Sequence, residues 1–183
     1  MPFCLFCLFC LYCLYDHYFC RTKKHFTHKP VNRILIVKMS SLGDIIHTLP
    51  MLYDLQHRYP HAQVDWVVEE NYTELLTPFT GRLRVIPIAL RRWRKNLYLS
   101  YPEVKSFYRT LRASEYDLIF DTQSLMKSAI IAWLARNKHT TIIGLGNPAQ
   151  DSGYEPCARY FYDQKIAIDN RAHAVNCSRL LVG

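Results

Sequence analysis

No stretch of this 183-residue chain supplies the roughly 20 consecutive apolar residues that a membrane-spanning helix needs. The longest such run, residues 2–14, breaks at Tyr15-Asp16-His17. A G-x-G-x-x-G dinucleotide fingerprint is absent, and so are zinc-ligand spacings and an aromatic RNA-binding signature. The central body has no pattern of cysteines that would frame disulfides, and no internal repeat is visible. Acids are the minority charge: 15 Asp and Glu against 23 Lys and Arg leave a net charge of +8. That balance favours an anionic partner, whether nucleic acid, phosphorylated lipid, nucleotide or acidic sugar, and does not choose among them.

What the chain does have begins with PFCLFCLFCLYCL, in which Cys4, Cys7, Cys10 and Cys13 alternate with Leu, Phe and Tyr. Iron–sulfur ligation is one reading of such a ladder, but apolar residues fill every gap and no Cys-Pro follows. A signal peptide would carry its positive charge before the apolar run, whereas Arg21, Lys23 and Lys24 come after it. A membrane anchor and a low-complexity extension with no part in the fold are the other readings. Residues 1–31 are therefore expected to be an extension and basic linker, and residues 32–183 the folded domain. With Cys157 and Cys177 far apart, a reducing, cytoplasmic compartment is expected.

From Asn32 the pattern alternates. Arg33–Lys38 and Val64–Val68 read as buried strands, Val85–Ile88 as a strand weakened by Pro87, and Asp117–Asp121 and Thr141–Gly144 as two more. Between them, Ile45, Leu49, Leu52 and Leu55 recur at helical spacing. Val104, Phe107, Tyr108 and Leu111 predict a helix over 102–114, and another is expected over 124–136. Strands alternating with helices imply an α/β fold, a Rossmann-like parallel sheet with helices on both faces. Ligands of such sheets sit at the carboxyl ends of the strands, so the loops that follow strands should carry the chemistry.

The first of these loops, Ser40-Ser41-Leu42-Gly43-Asp44, is the most informative. Gly43 permits close backbone approach, the serine hydroxyls can donate or accept, and the helix that follows points free N–H groups at the crevice. Asp44 is either a cap for that helix or a general base aimed into the cleft. Lys38, at the end of the first strand, could pair with Asp44 or with a ligand carboxylate. Gln123 and Lys127 follow another strand and could hydrogen-bond a sugar or phosphate, or cap a helix. His47 is expected to pack, and Glu69 and Glu70 to be solvated charges. Arg91, Arg92, Arg94 and Lys95 surround Trp93; they fit a phosphate- or carboxylate-binding loop, a solvated charge run, or a nucleic-acid patch.

The stretch Arg33-Ile-Leu-Ile-Val-Lys-Met-Ser-Ser-Leu-Gly-Asp-Ile-Ile-His-Thr-Leu-Pro50 resembles the opening of bacterial lipopolysaccharide heptosyltransferases of type I. The resemblance continues through Asp65–Glu70, Arg91–Lys95, Tyr116–Ser128, Glu155-Pro156 and His173–Val175. It implies the N-terminal, acceptor-binding domain of a GT-B glycosyltransferase, with the donor-binding C-terminal domain missing. The implied reaction is inverting, metal-independent transfer of heptose from ADP-heptose to the Kdo of Kdo-lipid A, on the cytoplasmic face of the inner membrane. Asp44 falls on the family's general base. Lys38, Ser40, Ser41, Gly43, Gln123 and Lys127 fall in acceptor-side loops, and Arg91, Arg92, Arg94 and Lys95 in a mobile loop over the acceptor. Tyr154 departs from the pattern where an arginine is expected. Alone, the chain is expected not to transfer heptose, since no donor site would position the leaving group. The alternatives are a non-catalytic acceptor-binding remnant and a small basic nucleic-acid-binding protein.

Overall fold

A computed structural model describes residues 30–81, 83–148, 153–169 and 171–183. The cysteine ladder and nearly all of the basic linker lie outside the described residues. The compact unit spans Val31–Gly183. Its strands are β1 (Arg33–Val37), β2 (Gln63–Glu69), β3 (Leu83–Ile88), β4 (Leu118–Asp121), β5 (Thr141–Leu145) and β6 (Gln164–Ile166). Its helices are α1 (Leu42–Arg58), α2 (Leu90–Trp93), α3 (Leu97–Arg112), α4 (Met126–Ala135) and α5 (Ala174–Leu180). Two 3₁₀ segments, Glu70–Phe79 and Pro156–Phe161, complete it.

All pairings are parallel, and the strands lie in the order β3-β2-β1-β4-β5-β6. This is the doubly wound Rossmann order. It reverses between β1 and β4, where such sheets open a crevice at their carboxyl ends. Side chains alternate across the pleat, so the apolar run of β1 serves two cores. Ile34 and Ile36 join Trp66, Phe120 and the α1 residues Ile45, Met51 and Leu55 on one face. Leu35 and Val37 join Ile119, Ile142, Leu111 of α3 and Ala129 and Ala132 of α4 on the other. Full burial of such a side chain contributes about 1.5–3 kcal/mol.

Proline is tolerated at position 87 because β3 is an edge strand, paired only to β2. Four features were not anticipated: β6, which has only three residues, the short helix α2, and the two 3₁₀ segments. Helix α3 starts earlier than expected, at Leu97, where Asn96 Oδ1 accepts from the Leu99 N–H at 3.3 Å. Tyr108 is not part of its inner face. Val104 and Phe107 pack inward while Tyr108 is exposed.

Below the sheet, at the amino ends of the strands, Asp65 is fully buried. It accepts a hydrogen bond from the Tyr116 hydroxyl at 2.8 Å and pairs with Arg84. This polar knot clamps β2, β3 and the approach to β4 on the side away from the crevice. No described helix is long and apolar enough to cross a membrane.

Candidate functional site

Two loops form the crevice: the one after β1, residues 38–41, and the one after β4, residues 122–125. Ser41 is the N-cap of α1 in extended conformation (φ −88°, ψ −176°), and Asp44 stands at the third helical position. Asp44 Oδ2 accepts from both the Ser41 N–H, at 2.8 Å, and the Ser41 hydroxyl, at 3.0 Å. The carboxylate therefore caps the helix, and Oδ1 lies outside these two bonds. A β-carbon at Gly43 would meet no atom of the chain within 4 Å, so the space beside Asp44 is open. The peptide bond between Ser40 and Ser41 is cis.

Lys38 is half-buried, and its ammonium donates to the Thr122 carbonyl at 3.3 Å rather than directly to Asp44. Desolvation lowers its pKa, while the nearby Asp44 and Asp121 carboxylates oppose that shift. Trp66 Nε1 donates to the Lys38 carbonyl at 3.0 Å, which fixes the backbone where the loop departs.

Gln123 neither reaches outward nor caps a helix. It is buried; its Oε1 accepts from the Met39 N–H at 2.8 Å and its Nε2 donates to Ser40 Oγ at 3.3 Å. It stitches the two loops together and positions Ser40 indirectly. Lys127 is exposed on the first turn of α4 and has no polar partner among the described residues. That helix is capped instead by Glu155, whose Oε2 accepts from the Met126 N–H at 2.6 Å. A carboxylate at that end also complements the helix dipole.

Sequence reasoning placed Asp121 in a strand and gave it no role at the site. It is the buried hub behind the crevice. Oδ1 accepts from the N–H groups of Gln123 (3.0 Å) and Ser124 (3.1 Å), and Oδ2 from the hydroxyls of Ser128 (2.9 Å) and Tyr162 (2.7 Å). Burial raises its pKa and the four donors oppose the rise. Ser124 takes a left-handed φ of 56° in the turn so formed. Tyr162 comes from beyond the second 3₁₀ segment, and its ring lies where a side chain at position 144 would be. Only the absence of a side chain at Gly144 admits it.

Arg91 and Arg92 lie in the short helix α2 while Arg94 and Lys95 lie in the turn after it, and the members of this basic segment divide. Trp93 is buried, packs edge-on against Phe107 at 5.8 Å, and donates its indole N–H to Glu103 Oε2 at 2.8 Å. Arg92 is held between Glu70 and Glu103, 3.1 and 2.7 Å from their Oε2 atoms. Arg92 and then the Trp93 indole hold the Glu103 carboxyl down at about 2. The Arg91 N–H donates to Glu69 Oε1 at 2.9 Å, and its guanidinium lies 5.8 Å over the Tyr72 ring. Arg94 and Lys95 are exposed, without a polar partner among the described residues.

The expectation that Glu69 and Glu70 are solvated charges is thus corrected. Glu69 is 3% exposed and ties β2 to α2, while Glu70 neutralises Arg92. His47 packs: its ring meets that of His173 edge-on at 5.5 Å. Tyr154, at the position where an arginine was expected, turns its hydroxyl to the Gly146 carbonyl at 3.0 Å. Among the described residues no three His, Cys, Asp or Glu converge on a common metal position.

The chain is similar to known proteins. The model of glycosyltransferase family 9 (heptosyltransferase) matches residues 104–182. Lipopolysaccharide heptosyltransferase 1 of Pseudomonas aeruginosa is 45% identical over 152 residues, which are 81% of this chain and 41% of the relative. This chain is a homologue of the family 9 heptosyltransferases. The namesake enzyme of Escherichia coli K12 is 42% identical over 152 residues, 81% of this chain and 46% of the relative. The solved structure of E. coli heptosyltransferase WaaC with ADP superposes with a TM-score of 0.72 at 40% identity, covering 82% of this chain and 46% of that one. The chain thus spans less than half the length of the curated heptosyltransferases it matches. The fold is shared with E. coli ADP-heptose lps heptosyltransferase II, at a TM-score of 0.60 and 22% identity, over 82% of this chain and 40% of that one.

Proposed function

We propose that this domain is the acceptor-binding side of a lipopolysaccharide inner-core heptosyltransferase that transfers heptose from ADP-heptose to the Kdo of Kdo-lipid A. The observation that carries the reading is the setting of Asp44. Its carboxylate lies at the crevice between β1 and β4, beside open space at Gly43, with one oxygen held by Ser41 and the other outside those bonds. The 45% identity to a heptosyltransferase 1 gives that setting its chemical meaning.

In the proposed reaction Asp44 Oδ1 takes the proton of a Kdo hydroxyl as that oxygen attacks the anomeric carbon of the heptose. The new carbon–oxygen bond forms as the bond to ADP breaks. ADP leaves with the electron pair, and the anomeric centre inverts. Ser41 keeps the carboxylate from rotating, and Lys38 supplies positive charge beside an anionic acceptor. Arg91, Arg94 and Lys95 offer cations to Kdo carboxylates and lipid A phosphates. Arg92 supports them from its place between Glu70 and Glu103, and Gln123 holds Ser40 in position. Ser40 and Lys127 stand at the rim as further acceptor contacts. The donor sugar nucleotide is held by a second domain, no metal takes part, and the work is done at the cytoplasmic surface of the membrane that displays the acceptor.

Titration calorimetry of the purified chain with Kdo-lipid A, and with lipid A lacking Kdo, tests the acceptor assignment. Saturable binding that requires Kdo is the expected result. Equal affinity for both lipids, or for neither, would overturn it.

A further inference from the structure

Helix α3 buries Val104, Phe107 and Leu111 against the second core and presents a different set of residues outward. Tyr98, Tyr101, Lys105 and Tyr108 follow one another at i, i+3, i+7 and i+10, which places them in a single stripe. Tyr98 is 90% exposed, and Leu99 beside it 71%. Leu97, Tyr101 and Tyr108 are also exposed. Arg94 and Lys95 precede the helix, and Lys105 and Arg109 lie along it, all exposed and without a polar partner among the described residues. Glu103 is the one acid on the helix, and Arg92 and Trp93 have already engaged it. The outer face is thus a band of tyrosine and leucine edged by cations and free of opposing carboxylates.

We propose that this face of α3 lies in the headgroup layer of an anionic lipid bilayer, parallel to its surface. Tyrosine favours that layer because its ring is apolar and its hydroxyl remains wet. Lys and Arg beside apolar residues meet lipid phosphates while their stems lie along the acyl boundary. Leu97 and Leu99 decide against nucleic acid, where exposed aliphatic side chains would find little to contact, whereas the acyl boundary takes them out of water. With only 16 residues and charges along its length, α3 rests on a membrane and does not span one. The docking deepens the acceptor reading above and rests on it for its purpose. Through Arg91 and Glu69 the segment before α3 is tied to the carboxyl edge of the sheet, so the crevice is kept near a lipid-borne acceptor.

The test is co-sedimentation of the full chain with phosphatidylglycerol-containing vesicles and with phosphatidylcholine vesicles, both free of lipopolysaccharide. The parent is expected to partition onto the anionic vesicles and to leave them as salt rises. Tyr98→Ser with Leu99→Ser, and separately Lys105→Glu with Arg109→Glu, should each lower the partition coefficient by about ten-fold or more. The circular dichroism should not change, since these side chains are exposed. Partition equal to that of the parent in both double variants would overturn the proposal. A preference of the parent for duplex DNA would overturn it in favour of nucleic acid, and a dimer that dissociates in the Tyr98/Leu99 variant in favour of a second copy. Asp44→Asn should bind the vesicles like the parent. Because these vesicles carry no Kdo, a negative result leaves the Kdo-dependent titration standing, and the reverse also holds.

Discussion

The Tyr162 hydroxyl donates to Asp121 Oδ2 across 2.7 Å, joining the last turn before β6 to the loop that forms the crevice floor. Both residues are buried. Burial raises the pKa of each, since an ionised carboxylate and a phenolate are alike costly away from water. Tyr162→Phe leaves the carboxylate one donor short and is expected to destabilise the fold by about 1.5–3 kcal/mol, measured by urea unfolding. An unchanged midpoint would mean that the bond contributes nothing.

The same carboxyl sets a pH dependence. Its folded pKa lies above the ordinary 3.8, so the folded chain holds this proton more tightly than the unfolded chain does. The stabilisation is fully present below the ordinary value and is lost as pH rises through the raised folded value. The parent's unfolding free energy minus that of Asp121→Asn, followed upward from acid pH, should therefore fall across that window. A rise there would reverse the assignment.

Asp44→Asn keeps an oxygen that can accept from Ser41 but removes the base. It is expected to bind Kdo-lipid A with near-parental affinity. Heptose transfer, assayed with the donor side supplied, should drop by about 10²–10⁴. Addition of EDTA to the parent reaction should leave the rate unchanged. Parental turnover by the Asp44→Asn protein would remove Asp44 as the base.

Two glycines should respond in opposite ways. Gly43→Ala meets nothing in the chain and improves helix propensity, so thermal stability should hold or rise, while affinity for the acceptor falls. Gly144→Ala drives a methyl group into the Tyr162 ring and should cost about 1–3 kcal/mol of stability. Denaturation curves of the two variants and titration of Gly43→Ala with Kdo-lipid A check both.

Within the basic segment, Arg92→Ala and the pair Arg94→Ala with Lys95→Ala separate support from contact. Loss of Arg92 frees Glu103, whose carboxyl, held at about 2, should climb toward the ordinary carboxylate range in an NMR titration. The Arg94/Lys95 double variant should leave Glu103 where it is and weaken binding of the anionic acceptor. A Glu103 carboxyl that stays near 2 without Arg92 would mean that the Trp93 indole alone holds it.

The strands were readable because a buried parallel strand must be apolar on both faces. The expected strands Arg33–Lys38, Val64–Val68 and Asp117–Asp121 rest on that signature, and β1, β2 and β4 lie there, at Arg33–Val37, Gln63–Glu69 and Leu118–Asp121. Pro87 weakened β3 on paper, and only its place at the sheet edge shows why the proline is harmless. Strand β6 has three residues and no periodicity to read. The basic run around Trp93 was visible as composition. Nothing in composition shows that Arg92 is neutralised by Glu70 and Glu103, acids 22 and 11 residues away.

The sequence alone determined the α/β alternation, the turn into the first helix around Ser40–Asp44 and the likeness to heptosyltransferases, because each resides in neighbouring residues whose spacing fixes local conformation. Tertiary structure decided which polar groups are free. Gln123 was drawn inward and Arg92 was paired at the surface by partners brought near in space, and Asp121 emerged as a hub only when donors from Gln123, Ser124, Ser128 and Tyr162 converged on it. A buried charge has to find its partners wherever the chain passes, and that neighbourhood exists only after folding.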